Sequence, residues 1–474
     1  MVEKLKQVYD PESFKQLGYE IIDLLTHHLE EAQNEHIPVM NWQEPSSQLD
    51  FWKNYALGDK PAVSLFKEII GKSIHIHHPK YMGHQVCPPA PVAALASLVS
   101  AFLNNGMAIY EMGGAATAIE KVVVDLIVQK VGYGIRGDGF ITSGGTLGNL
   151  TALLAARQLV KNSNIWENGL QDNIGVMVSA EAHYSVDRAL RVMGFGAKGI
   201  IRIPVGKNFT MQTQLLEACY ENAKQDGIRV MAVVGCSPST STGMFDDLEA
   251  IAGFCKKEKI WFHVDAAHGG GAVFSEKYKH LLKGIDQADS IVIDGHKMLM
   301  TPGIMTFVLF KEKNNSYATF NQKAQYLLAK TKDEEWYNMA RRTMECTKLM
   351  MSIKFYSILQ CYGEEVFAQS VDCLFDLGKE LAVKIKQRQN FELALEPQSN
   401  IVCFRYIKPA VSAAGLNRLN SEIRNEILEK GEFYIVQTAL NDLVYLRTTL
   451  MNPQTDGGDL EELLDEIERI GNGN

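Results

Sequence analysis

This sequence has no basic excess, no paired cysteine spacing and no apolar run long enough for a membrane, and each absence removes a class of function. Its 47 Lys and Arg stand against 56 Asp and Glu, a formal charge of −9. No cationic surplus exists to offset the phosphates of a nucleic acid or of an anionic bilayer. The eight cysteines, at 87, 219, 236, 255, 346, 361, 373 and 403, are scattered without a C-x-x-C. That disfavours a zinc site or a disulfide framework, and reduced, mostly buried thiols are expected. The richest apolar run, Pro88 to Val99, is too short and too full of Ala and Pro to span a bilayer. No charged-then-apolar leader opens the chain, since MVEKLKQVYDPESF goes directly into an amphipathic pattern, so a cytoplasmic enzyme is expected. Internal repeats and low-complexity linkers are also missing. What remains is an ordinary globular composition, 46% hydrophobic and 22% charged, in 474 residues, enough for two or three domains and a large core.

The stretch that carries chemistry runs from Trp261 to Gly303, WFHVDAAHGGGAVFSEKYKHLLKGIDQADSIVIDGHKMLMTPG. The apolar run Ile260 to Val264 has strand length and delivers Asp265 at its C-terminal end, followed by small residues that let a bulky group approach the backbone. A second run, Ser290 to Ile293, delivers Asp294, Gly295, His296 and Lys297. Two parallel strands ending side by side would place a carboxylate and an amine at one edge of a sheet, where α/β proteins bind ligands. That pairing suits pyridoxal 5'-phosphate: the amine condenses with its aldehyde, and the carboxylate keeps its pyridine nitrogen protonated. The plainer alternative is a surface lysine after a strand, with Asp265 capping a helix.

Other stretches point to the same edge. A short strand through Phe140 to Thr142, a turn Ser143-Gly144-Gly145-Thr146 and a helix from about Leu147 form a unit whose free amides can hold a phosphate dianion. Glycine turns before helices are commonly structural, however. The strand Ile174 to Ser179 leads into AEAHYSVDRALRVMG, which sets His183 over the sheet edge, or makes it a helix cap or core residue. Val230 to Val234 and TFVLF read as further strands. Lys330 to Asn338 is polar and reads as a mobile loop ahead of a helix. From Lys348 onward a long helix leads into a smaller C-terminal domain, with strands at Ile401 to Tyr406, Tyr434 to Thr438 and Val444 to Thr449 and a last helix at Gly458 to Ile470. Pro11 to Gln33 fits a helix with one apolar face, for which packing on its own core is the commoner explanation. His75, His77, His78 and His84 have no carboxylate or Cys at ligand spacing, so no metal is expected.

The run HVDAAHGGG followed by DSIVIDGHKMLMTPG resembles the lysine region of the PLP-dependent group II amino-acid decarboxylases, relatives of the glutamate, cysteine-sulfinate, diaminobutyrate, aromatic amino-acid and histidine decarboxylases. The likeness extends to both termini. It implies fold type I: an α/β architecture with a large domain built on a mostly parallel sheet (96–350), a small C-terminal α/β domain (351–474) and an N-terminal helical segment (1–95). It makes Lys297 the catalytic amine and Asp265 the partner of the pyridine nitrogen. His183 would stack on the cofactor ring and take part in proton transfer. Ser143, Gly144, Gly145, Thr146, Thr240, Ser241, Ala267 and His296 would complete the cofactor site. Related sequences read G-T-T where this chain has Pro238-Ser239-Thr240; proline removes a backbone donor, so this loop must bond differently. Tyr337, nine residues before Cys346, is spaced like the catalytic-loop tyrosine, the alternative being a tyrosine packed at a helix start. Arg447, five residues before Asn452-Pro453, would pair with the substrate α-carboxylate. Gln85 would reach the substrate, and the N-terminal helices would wrap a second subunit in a homodimer.

The implied reaction is α-decarboxylation of a short polar amino acid. L-2,4-diaminobutyrate stands first, because YMGHQVCPP and DEEWYNMARRTMECTK resemble that subgroup. Glutamate, aspartate or cysteine sulfinate stand next, then aromatic amino acids or histidine. A PLP aminotransferase or carbon–sulfur lyase would share the fold and the lysine. Tyr337 weighs against an oxidative deaminase, and the intact lysine against a non-catalytic interaction protein.

Overall fold

The computed structural model describes residues 2–56, 60–160, 164–317, 319–320 and 336–473. The chain divides into two units: one joins the residues up to His84 with Leu377–Glu396 and Val402–Asn474, and the other holds Gln85–Asp376 with Pro397–Ile401. Three consecutive domains were expected; instead the N-terminal segment and the C-terminal region form one body. The reason is backbone pairing. Met82 N–H donates to the Tyr434 carbonyl (2.9 Å), Thr449 N–H to Met82 (2.7 Å) and Met40 N–H to Gly431 (3.2 Å). The expected limit near residue 95 falls inside the helix Pro91–Leu103.

The larger unit is built on a sheet of β1 (Asp138–Thr142), β2 (Ile174–Ser179), β3 (Ile200–Ile203), β4 (Arg229–Cys236), β5 (Trp261–Asp265), β6 (Ser290–Asp294) and β7 (Thr306–Phe310), in the order β1-β7-β6-β5-β4-β2-β3. Strands β3 to β6 and β2 pair parallel, while β7 runs antiparallel to both β6 and β1. Hence β1 runs in the direction of β6. The carboxyl ends of β1, β2, β4, β5 and β6 therefore share one edge. Alternate residues face opposite sides. Ile291, Ile293, Phe307 and Leu309 pack with the helices Tyr110–Lys130, Leu248–Glu258 and Ser352–Tyr362. Val292, Val308 and Phe310 pack with Gly145–Gln158 and Tyr184–Val192.

The smaller unit carries β8 (Phe391–Leu393), β9 (Ile401–Tyr406), β10 (Val436–Leu440) and β11 (Leu443–Thr449), ordered β10-β11-β9-β8, and the helix Gly457–Gly473. The single long helix expected from Lys348 is two, Ser352–Tyr362 and Glu365–Lys386. Gly363 between them has φ +75, a left-handed conformation that ends a helix cheaply only at glycine. The histidine-rich segment is structural: His75 bonds the carbonyls of Pro38 (2.7 Å) and Ile70 (3.2 Å). Among the described residues no group of three His, Cys, Asp or Glu forms a metal site, and no helix is long and apolar enough to cross a membrane.

Strand β1 ends the sheet, and its unpaired edge is satisfied by side chains in place of a further strand. Arg342 donates to Gly139 O (3.0 Å), Glu120 accepts from Ile141 N–H (2.9 Å), Lys348 donates to Ile141 O, and Glu345 accepts from Ser143 N–H (3.1 Å). Lys348 and Glu120 also pair with each other at 2.5 Å, both buried. Removing one partner of such a pair strands a buried charge, at a cost of about 3–5 kcal/mol. Glu120→Ala is therefore expected to lower the urea midpoint far more than the double variant Glu120→Met with Lys348→Met; equal losses would contradict this account of the edge.

Candidate active site

Lys297 lies three residues beyond the end of β6, its amine 3.1 Å from Asp294 Oδ2. Asp294 is buried and also accepts from the Thr306 hydroxyl at 2.5 Å. Sequence reasoning passed over this carboxylate, although Asp-x-x-Lys spacing is itself a signal for such a pair. On the neighbouring strand Asp265 is held by the Asn149 amide (2.8 Å) and by Ala267 N–H (3.2 Å). The paired register of β5 and β6, with Asp265 opposite Val292, brings the two strand ends together as expected.

Strand β1 delivers the turn into the helix Gly145–Gln158. Gly144 has φ +93, and its carbonyl accepts the first helical bonds, from Leu147 (3.1 Å) and Gly148 (3.0 Å). The amides of Gly145 and Thr146 precede any intrahelical acceptor, and the first turn holds no acidic residue, as an anion cradle needs. A Cβ at Gly145 would stand 3.1 Å from both Asp294 oxygens and 3.5 Å from Ala267 Cβ. The Ser143 N–H and hydroxyl both donate to Glu345, at 3.1 and 2.6 Å, which ties the turn to that carboxylate.

These groups surround one cavity of about 360 Å³. Ser143, Gly144, Gly145, Thr146, His183, Thr240, Asp265, Ala267, His296 and Lys297, all expected at the site, line it, together with Asn149, Asp294 and Ser239. Ser241 is not among the lining residues, and its hydroxyl donates to the Glu181 carboxylate. His183 caps the helix Tyr184–Val192 and lines the cavity as well. Burial pushes its imidazole below the ordinary 6.5, Asp265 opposing and Lys297 assisting. His296 is anchored by its Nδ1 to the Met305 carbonyl at 2.9 Å.

Besides Ser241, three expected residues are not among those that line this cavity. Tyr337 is half-buried, its ring edge-on to Tyr110 at 5.7 Å, with Asn338 accepting from Tyr110 N–H at 3.1 Å. Residues 330–335 of the expected loop lie outside the described residues. Gln85 is partly buried in the larger unit, and its amide nitrogen has no hydrogen-bond partner among the described residues. Arg447 sits on β11 of the smaller unit, 6% exposed. A larger hollow, about 950 Å³, lies where β4 and β5 begin, away from this chemistry. Its Lys224, Lys256 and Lys259 stand at helix C-termini, where cations complement the helix dipole.

An amine, a facing carboxylate and a helix-start cradle at a glycine where a Cβ would crowd Asp294 fit pyridoxal phosphate. The comparisons agree. A family model described as "Pyridoxal-dependent decarboxylase conserved domain" matches residues 66–407. The chain is 29% identical to an L-2,4-diaminobutyrate decarboxylase of Acinetobacter baumannii, over 84% of this chain and 81% of that one. It is 26% identical to an aromatic-L-amino-acid decarboxylase of Bacillus atrophaeus, over 97% and 95%. A solved glutamate decarboxylase domain of diaminobutyrate-pyruvate transaminase and L-2,4-diaminobutyrate decarboxylase from Vibrio parahaemolyticus superposes with a TM-score of 0.84 and 26% identity, covering 96% of each chain.

Gly145→Ala is expected to weaken pyridoxal phosphate binding at least about tenfold, an energy near 1.4 kcal/mol, by pressing its methyl on the Asp294 carboxylate. Titration of the cofactor into the apoprotein measures this, and unchanged affinity would remove Gly145 from the cradle.

Proposed function

The chain belongs to the pyridoxal-dependent decarboxylase family, and on that premise we propose that its substrate is L-2,4-diaminobutyrate. The enzyme is a PLP-dependent amino-acid carboxy-lyase. The observation that carries this reading is the convergence of the Lys297 amine, Asp265 and the glycine cradle on one cavity at a sheet edge. Diaminobutyrate is supported by the Acinetobacter relative and by the two subgroup-like stretches around Gln85 and Tyr337.

When bound, pyridoxal phosphate supplies an electron sink conjugated to the substrate's Cα. The residues do the rest. Asp294 holds the Lys297 amine in place. Asp265, fixed by Asn149 and Ala267, is the group to keep a proton on the ring nitrogen. The amides of Gly145 and Thr146 and the Thr146 hydroxyl are proposed to take the phosphate. Arg447 is the proposed partner of the substrate α-carboxylate, where a planar two-point contact orients the bond to be broken. Tyr337 is the proposed proton donor to Cα, and His183, whose imidazole burial pushes below its ordinary value, the proposed ring-stacking wall.

A second reading, an acidic amino acid, is favoured by one observation. The Gln85 amide nitrogen is a buried donor without a partner among the described residues, and a side-chain carboxylate would satisfy it. Carbon dioxide release from a panel of amino acids separates the readings. The highest kcat/KM is expected for diaminobutyrate, with amine and no keto acid formed; preference for dopa or tryptophan would overturn the substrate proposal, and keto acid would overturn the reaction.

We further propose a homodimer, in keeping with a cytoplasmic enzyme. The helix Pro91–Leu103 leaves Leu95, Leu98, Val99, Phe102 and Leu103 half exposed or more. The helix Pro11–Gln33 buries only Ala32 and exposes Phe14, Tyr19, Ile22 and Leu25, so packing on its own core does not explain its apolar face. Contiguous apolar faces of this kind are what a second subunit covers. Leu98→Glu with Phe102→Glu is expected to convert a dimer to a monomer in sedimentation velocity; a wild-type monomer would refute the assignment.

A further inference from the structure

Behind Asp265 and His183 runs a chain of buried polar groups, Asn149, Ser185, His263, Ser290 and Trp261, to which the reaction assigns no role. Trp261 Nε1 lies 2.8 Å from Ser290 Oγ, which lies 2.8 Å from His263 Nδ1. His263 Nε2 is 2.9 Å from Asn149 Oδ1. The Asn149 Nδ2 reaches both Asp265 Oδ2, at 2.8 Å, and Ser185 Oγ, at 3.0 Å. Ser185 Oγ is 2.7 Å from His183 Nδ1. Asn149, Ser185, His263 and Ser290 are each 1% exposed or less.

The carboxylate end sets the direction of the chain. An ionised carboxylate only accepts, so the Asn149 amide must present nitrogen to Asp265 and oxygen to His263, and that oxygen requires the His263 proton on Nε2. In the neutral ring Nδ1 is then bare and takes the Ser290 hydrogen, while Ser290 accepts from the Trp261 N–H, which only donates. The second Asn149 N–H occupies Ser185 Oγ, so the Ser185 hydrogen goes to His183 Nδ1. Ser185 N–H points at that same nitrogen from 3.3 Å.

We infer that this one-way chain fixes both histidines as neutral Nε2–H tautomers and makes Asn149 the shared positioning residue of Asp265 and His183. Ser290 and Trp261, which are not among the cavity's lining residues, thereby act on the cofactor site through His263. If His263 carried its proton on Nδ1, its bare Nε2 would face the Asn149 oxygen. Turning the amide to relieve that clash would aim the oxygen at Asp265 and loosen the carboxylate's placement. Burial favours the neutral form of both rings, drawing His263 down to about 4. The charged groups facing His183 are Asp265, Lys297, Asp294 and Arg188. The inference rests on the cofactor assignment and is independent of which amino acid is consumed.

Two-bond proton–nitrogen correlation spectra of the holoenzyme, labelled with ¹⁵N at histidine and assigned with His183→Gln and His263→Gln, test it without substrate. Both rings are expected to show a bare Nδ1 and a protonated Nε2 near neutral pH. Ser290→Ala should move the His263 Nδ1 resonance toward the position of an imine nitrogen without a donor, and weaken pyridoxal phosphate binding roughly threefold to tenfold. Asn149→Asp, which sets a second carboxylate against Asp265, should weaken it more than Ser290→Ala does. An Nδ1–H or doubly protonated ring in the wild type would overturn the proposal even if neither variant folded, and so would a folded Ser290→Ala that binds cofactor as tightly as wild type.

Discussion

Strand direction is the constraint on which the chemistry of this protein depends. Because β7 is antiparallel to both neighbours, β1 points the same way as the parallel strands. The phosphate turn, the strand leading to His183, Asp265 and the Asp294–Lys297 pair consequently emerge at one edge. Gly145 and Thr146 begin the helix that starts at this edge, and Asp265 and Asp294 line the cavity with the amine. A reversal of β1 would send its glycine turn to the far edge, away from Lys297.

Gathering charges on a sheet edge carries a desolvation cost, and the fold offsets it with paired and directed polar groups. Asp294 has Lys297 and Thr306; Asp265 has Asn149 and an amide. The outer edge of β1 is closed by Arg342, Glu120, Lys348 and Glu345, with Arg342 also bonded to Asp138 at 2.8 Å. Arg342, Glu345 and Lys348 belong to the segment that follows Tyr337. The strand that ends in the phosphate turn is thus held by the same stretch of chain that carries the proposed proton donor.

Strands were legible because short continuous apolar runs mark strands buried on both faces, and the residues at their ends inherit the sheet's edge. Asp265 and Lys297 therefore stood out before any coordinates were available. The groups that hold them did not, since Asn149, His263 and Ser290 sit on three different elements and meet only through strand pairing. Asp294 was visible in the lysine motif, but only its distance to the amine shows the pairing. Ser143 and Ser241 have the right chemistry for a phosphate, yet neighbouring carboxylates claim their hydroxyls. Gly363 interrupts the long helix through a positive φ that apolar periodicity cannot reveal. The fusion of the chain's two ends into one unit likewise arises from backbone pairing between Met82, Tyr434 and Thr449, which no local pattern encodes.

The central claim is that Lys297 is the amine to which the cofactor is joined. Reduction of the holoenzyme with borohydride, followed by proteolysis and peptide mass spectrometry, reads that bond directly. The account predicts one pyridoxyl phosphate adduct, on Lys297. An adduct on another lysine, or none in protein shown to bind the cofactor, would contradict it.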